Sequence, residues 1–92
     1  MARWRLERYL PLLHLQVRQL QLGPFWQRRF GGSDLVAETL LHAHQELDQF
    51  RGQSEGEFLA WLRAILKRVV VDQMRRATAQ RRDLRRESID LA

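Results

Sequence analysis

Val36, Leu40, Ala43, Leu47 and Phe50 follow one another at steps of four, three, four and three residues. Only an α-helix collects that spacing on one face, because 3.6 residues complete each turn. Two other stretches carry the same signature. Leu6, Tyr9, Leu10, Leu13, Val17 and Leu20 precede it, and Phe58, Trp61, Leu62, Ile65, Val69 and Met74 follow it. No segment alternates apolar and polar residues as a half-buried strand would. The chain is therefore predicted to be all-α: a small helical domain of three main helices plus a short connecting helix. At 92 residues it has the length of one domain, able to bury roughly 60–65% of its unfolded surface.

Local signals set the boundaries. Pro11 lies inside the first pattern, so it should kink that helix or occupy the first turn of a second one, since proline lacks the N–H donor. Leu22-Gly23-Pro24 stops this helix, and Pro24 suits the first turn of a short segment from Phe25 to Phe30. Gly31-Gly32 is a break. Ser33 reads as an N-cap, with Asp34 in the first turn where the helix dipole favours a carboxylate. The helix from about 33 ends over Phe50-Arg51-Gly52-Gln53. Ser54-Glu55-Gly56-Glu57 then reads as a capping box ahead of an apolar run. The last helix is predicted over about 54–86, with fraying after Ala79, where nothing apolar anchors it until Leu84.

Composition removes whole classes of function. There is no cysteine, hence no disulfide framework, thiolate metal site or cysteine nucleophile, and a reducing, cytoplasmic setting is expected. No run approaches the ~20 apolar residues that span a bilayer, so no membrane insertion is expected. The N-terminus Met1-Ala2-Arg3-Trp4-Arg5 is basic, but Glu7, Pro11 and Arg18 interrupt the apolar stretch a secretory signal needs. With 45% apolar residues and three Trp, the chain can build a core.

The net charge of +5 conceals a segregation. Residues 1–32 carry six Arg and one Glu, a net of +5. Residues 33–62 carry six acids and Arg51, a net of −5. Residues 63–86 carry eight Arg and Lys67 against Asp72 and Asp83, a net of +7, and the tail from Glu87 adds −2. Charge placed for solubility alone is interspersed, whereas blocks point to different faces for different partners.

Opposite the buried stripe of the acidic helix lie Asp34, Glu38, Leu41 and Gln45. A leucine among carboxylates has the make-up of a contact patch for a basic partner, an apolar centre with a charged rim. Isolated surface leucines are also common in their own right. In the final helix Arg63 and Lys67 stand four apart, and Arg68, Asp72, Arg75, Arg76 and Arg82 are expected to continue a ridge beside the buried one. Asp72 is placed to pair with Arg68 or Arg76. Arginine suits bidentate phosphate contact and stacking on bases. Together with an aromatic-bearing loop it supplies the ingredients of nucleic-acid binding. Trp61 flanks Leu62 and Ile65, which favours packing over base contact. His42 and His44 are two apart on a helix and point nearly opposite ways, so no metal site and no cofactor is predicted. No glycine-rich phosphate loop and no nucleophile–base set is present, so no catalytic residue is nominated.

Four runs in order then carry a resemblance: Ser33-Asp34-Leu35-Val36-Ala37-Glu38-Thr39-Leu40-Leu41, Leu47-Asp48-Gln49-Phe50-Arg51-Gly52, Phe58-Leu59-Ala60-Trp61-Leu62-Arg63-Ala64-Ile65 and Asp72-Gln73-Met74-Arg75-Arg76. They closely resemble domain 2 of bacterial RNA polymerase sigma factors, best the extracytoplasmic-function group, over about residues 33–86 and more loosely over 5–32. The resemblance implies a non-enzymatic helical unit that docks on the polymerase core and recognises and opens the promoter −10 element. It implies that Asp34, Leu35, Glu38, Leu41, His42 and Gln45 face the clamp helices of the largest polymerase subunit. It implies that the 50–54 loop, with Phe50, Arg51, Gln53 and Ser54, captures a flipped non-template base, and that Arg63, Lys67, Arg68, Arg75 and Arg76 lie along the promoter. An anti-sigma factor is a further candidate partner.

The chain departs from the family pattern in places. Ala37 stands where a Gln is usual, and Arg68 where an Asn that helps read the promoter is frequent. The junction Gln53-Ser54-Glu55-Gly56-Glu57 is about two residues longer than in many relatives, which bears on the shape of the base pocket. Nothing after Arg86 supplies the family's helix-turn-helix domain for the −35 element, so an isolated domain or a piece of a longer protein is expected. Two alternatives remain at this level. One is a protein-interaction module binding polymerase or a regulator without DNA readout, and the other is a generic basic helical nucleic-acid binder.

Overall fold

The computed structural model describes residues 4–20 and 23–91, with side chains as far as residue 80. The chain opens with a 3-10 turn, Leu6–Tyr9, which runs into α1, Leu10–Gln19. Pro11 sits in the first turn of α1, where its missing N–H deprives the helix of nothing. A short α2, Pro24–Arg29, likewise begins on proline. Then come α3, Gly32–Glu46, a 3-10 turn Leu47–Gln49, and the long α4, Glu55–Leu91. The described residues are all helix, turn or loop, and the all-α prediction holds.

The core forms where α3 packs on α4 and α1 closes over α3. Phe58, Leu62, Ile65, Leu66, Val69 and Val70 from α4 meet Leu35, Val36 and Ala43 from α3, with Leu6 and Leu13 filling the third side. Each fully buried Leu or Phe contributes about 1.5–3 kcal/mol of transfer free energy. Thr39 is buried within this core and donates its hydroxyl to Leu35 O at 2.7 Å, so its polar group is satisfied inside its own helix. Gln16 is buried without that provision, and its side-chain oxygen has no hydrogen-bond partner among the described residues.

α4 outruns the core. Thirty-seven residues at 1.5 Å each make about 55 Å of helix, which accounts for the 58 Å long axis of the molecule. The radius of gyration, 16.5 Å, exceeds the ~12 Å of a compact chain this long for the same reason.

Three expectations need correction. Ser33 is not the N-cap of α3: Gly31 is, its carbonyl accepting from Asp34 N at 3.1 Å and Leu35 N at 3.2 Å, with the Asp34 carboxylate folded back beside it. The helix therefore begins at Gly32, two residues earlier than a Ser33 cap would place it. The buried stripe of α3 is displaced towards Leu35 and Thr39, while Leu40, Leu47 and Phe50 are half-buried. The backbone of α4 stays helical to Leu91 instead of fraying after Ala79, in keeping with the helical preference of Arg, Ala, Gln and Leu. The predicted stop at Leu22 and the side chains of Arg82 and Leu84 lie outside the described residues.

Candidate nucleic-acid interface

The loop between α3 and α4 is fixed at both ends. Ser54 caps α4, its Oγ accepting from Glu57 N at 3.1 Å. The reciprocal arm of the capping box lands one residue early: Glu57 Oε2 accepts from Gln53 N at 3.4 Å. Arg51 donates to Asp48 O at 2.8 Å, covering a carbonyl the 3-10 turn leaves open. Gly52 then passes so close to the loop's own aromatic that a Cβ there would collide with the Phe50 ring and with Glu57 Oε2.

Phe50 itself is half-buried in a cluster of aromatic rings. It meets Trp61 at 5.1 Å, Phe58 edge-on at 5.4 Å and Trp4 edge-on at 6.1 Å. Trp4 lies flat on Phe58 at 4.7 Å, and Tyr9 closes the far side at 5.0 Å. Such pairs add about 0.5–1.5 kcal/mol each beyond area burial. They fix the ring geometry of a loop that is otherwise exposed at Arg51, Gln53 and Ser54. Trp61 is half-buried in this cluster, packed as its position beside Leu62 indicated.

On α3, Asp34, Leu41 and Gln45 are exposed, Glu38 and His42 half-buried, and together they occupy the stripe opposite the buried residues. Leu41 is 55% exposed, the most open of the large apolar side chains among the described residues. Leu35 does not belong with them. It is only 3% exposed and belongs to the core cluster, so it supports the stripe without presenting a contact. His42 Nε2 lies 3.7 Å from Glu38 Oε1. No group of three metal-ligating side chains occurs among the described residues.

The described cations of α4, Arg63, Lys67, Arg68, Arg75 and Arg76, are exposed, but they do not form one ridge. At about 100° per residue, Arg63 and Lys67 share one edge of the helix, and Arg68, Asp72 and Arg75 lie roughly a quarter-turn or more away. Arg76 is turned towards α2, where it lines a recess with Arg29 and Phe30. The expected pairing of Asp72 with Arg68 or Arg76 is not among the described ion pairs. Arg68 binds Glu46 of α3 instead, since the crossing of the two helices brings that carboxylate to it. Gln73 donates to Glu38 at 3.4 Å farther along the same seam. The acidic face and the arginine-bearing helix are thus stitched edge to edge.

Sequence reasoning missed two contributors. Trp4 and Tyr9 reach the Phe50 cluster from the other end of the chain, and no spacing rule links residue 4 to residue 58. Arg29, on the connecting helix, donates to Gln80 at 2.8 Å and so enters the α4 surface. Its signal was the unspent charge of Arg28-Arg29 beside Phe30.

A family model, Sigma-70 region 2, matches residues 6–80. The chain belongs to the sigma-70 region 2 family. The match begins at the 3-10 turn, spans all four helices, and reaches as far along α4 as the recess beneath Arg29. No curated protein and no solved structure matches the chain. A sigma-70 region 2 domain is a transcription-initiation module and not an enzyme, and its role is RNA polymerase binding and promoter recognition. Among the described residues no helix is long and apolar enough to cross a membrane.

Proposed function

We propose that this chain is domain 2 of an extracytoplasmic-function sigma factor, docking on the polymerase clamp helices through α3 and opening the −10 element with the 50–54 loop and α4. The observation that carries the reading is the segregation of an exposed acidic stripe around Leu41 from an exposed arginine set on the neighbouring helix. Asp34, Glu38, His42 and Gln45 supply a polar rim, and Leu41 the apolar centre, for a basic helical partner. Leu35 acts from beneath by holding α3 on the core.

The loop has the physical properties base capture requires. Extruding a base costs a few kcal/mol in lost stacking and pairing. One base stacked on an aromatic side chain returns about 1–3 kcal/mol. A loop already held by the Ser54 cap, the Arg51–Asp48 bond and the Phe50 cluster loses little further entropy when it binds. Arg51 and Gln53 bring exposed donors beside those rings, and Arg63, Lys67, Arg75 and Arg76 add phosphate affinity along α4. Arg68 contributes chiefly by tying α4 to Glu46.

The test is binding of single-stranded −10 oligonucleotides, scanned over base identity at each position, to the chain in complex with core polymerase. At least one position is expected to discriminate by more than about 1 kcal/mol. A flat scan with a steep salt dependence would identify a non-specific basic binder instead.

A further inference from the structure

Where the apolar stripe of α4 ends, its core-facing side turns polar: Gln73, Arg76 and Gln80 follow Val69 and Val70, with Ala77 still buried among them. The C-terminal end of α2 reaches this stretch through Arg29. Arg29, Phe30, Gln73, Arg76, Ala77 and Gln80 line a recess of about 370 Å³. The Arg29 guanidinium is directed across it by its bond to Gln80 Oε1. Arg29, Arg76 and Gln80 are all exposed. No carboxylate is among the described residues that line the recess, and Glu38, bonded to its Gln73, is also engaged by His42. Arg29 also lines a second recess with Phe25 and Arg28, so a basic surface continues outward along α2.

We infer that Arg29 and Arg76 form a phosphate clamp for the DNA backbone flanking the −10 element, making the connecting helix α2 part of the promoter interface. Two guanidiniums on separate helices border one recess, one of them held in orientation by a carboxamide, and each offers the donor fork that suits phosphodiester oxygens. The proposal rests on the sigma reading above and extends it to a new element.

The position makes the inference specific. From Phe58, beside the capture loop, to Ala77 in the recess is nineteen residues of α4, or about 28 Å. At 3.4 Å per step that is roughly eight base pairs of duplex. Duplex that flanks the −10 element and runs along α4 therefore comes within reach of the clamp.

The experiment measures affinity of the full chain, free and bound to core polymerase, for the −10 strand alone and for probes carrying about ten base pairs of flanking duplex on one side or the other. Arg29→Gln and Arg76→Gln are each expected to weaken binding about 3- to 10-fold on one of the two flanked probes. Each should also lower the slope of log affinity against log salt by about 0.9. Binding to the bare −10 strand by Arg29→Gln should be unchanged. Gln80→Leu, which keeps both charges but frees Arg29, should give a smaller loss on the same probe. Unchanged affinity and slope on both flanked probes would overturn the clamp, while leaving the base-identity scan, and so the sigma reading, intact. Equal weakening on every probe, the bare strand included, would also overturn it, as would a loss confined to polymerase binding, which would assign the recess to the polymerase. Circular dichroism on each variant verifies that the helices are retained.

Discussion

Gly52→Ala is the most informative single change to the capture loop. Gly52 does not adopt a positive φ, so backbone strain plays no part and the requirement is for space alone. A Cβ at this position would overlap the Phe50 ring, with Cε1 at 2.7 Å, and would stand 2.7 Å from Glu57 Oε2. Both neighbours are committed: Glu57 accepts from Gln53 N, and Phe50 is enclosed by Trp4, Phe58 and Trp61. Relief must come from a shift of the ring by about an ångström, which disturbs three aromatic contacts. Overpacking of this kind costs about 1–3 kcal/mol. The loss of chain entropy in the unfolded state offsets about 0.4–1 kcal/mol of that. The net expectation is a destabilisation of about 1–2 kcal/mol, or a fall in Tm of about 5–15 °C for a domain this small. In a Phe50→Leu background the same glycine change should have less than half that effect, because the clashing ring is gone. A thermal melt in which Gly52→Ala equals or exceeds the wild type would refute the argument.

Other expectations follow from single contacts. Gln16→Leu should raise stability by about 1–2 kcal/mol in urea titration, because it removes a buried oxygen with no partner while keeping the volume. Ser54→Ala should cost about 1 kcal/mol through loss of the N-cap of α4, and Ser54→Asp should restore most of it. Arg68→Ala should cost less than about 1 kcal/mol, since its bond to Glu46 lies on an open surface, and the deficit should shrink as salt is raised.

The helices were readable from the sequence because each buries one stripe, and a stripe imposes its period on the apolar residues. The α3 cap was not. Gly31, Gly32, Ser33 and Asp34 offer two overlapping starts, and the side-chain preference for Ser33 lost to a glycine carbonyl already placed to accept from Asp34 and Leu35. Asp34, Glu38, Leu41 and Gln45 were legible as one face for the same periodic reason. Leu35, one position off that face, could be recognised as core only once the packing around α3 was known. The partner of Arg68 was hidden similarly. Within its own helix Asp72 is the neighbour, but tertiary packing brings Glu46 nearer. Trp4 on Phe58, and Arg29 on Gln80, join residues 54 and 51 positions apart, and no local rule reaches that far.

The central claim is that α3 presents a polymerase-docking face independent of the DNA-facing arginines. The measurement that tests it most directly is the equilibrium affinity of core polymerase for wild type, Leu41→Arg and Arg75→Gln. Leu41 is exposed and is not packed in the core, so the fold should survive its replacement. The account predicts that Leu41→Arg weakens core binding at least tenfold, about 1.4 kcal/mol, while Arg75→Gln leaves it within twofold. Equal affinity for wild type and Leu41→Arg would contradict it.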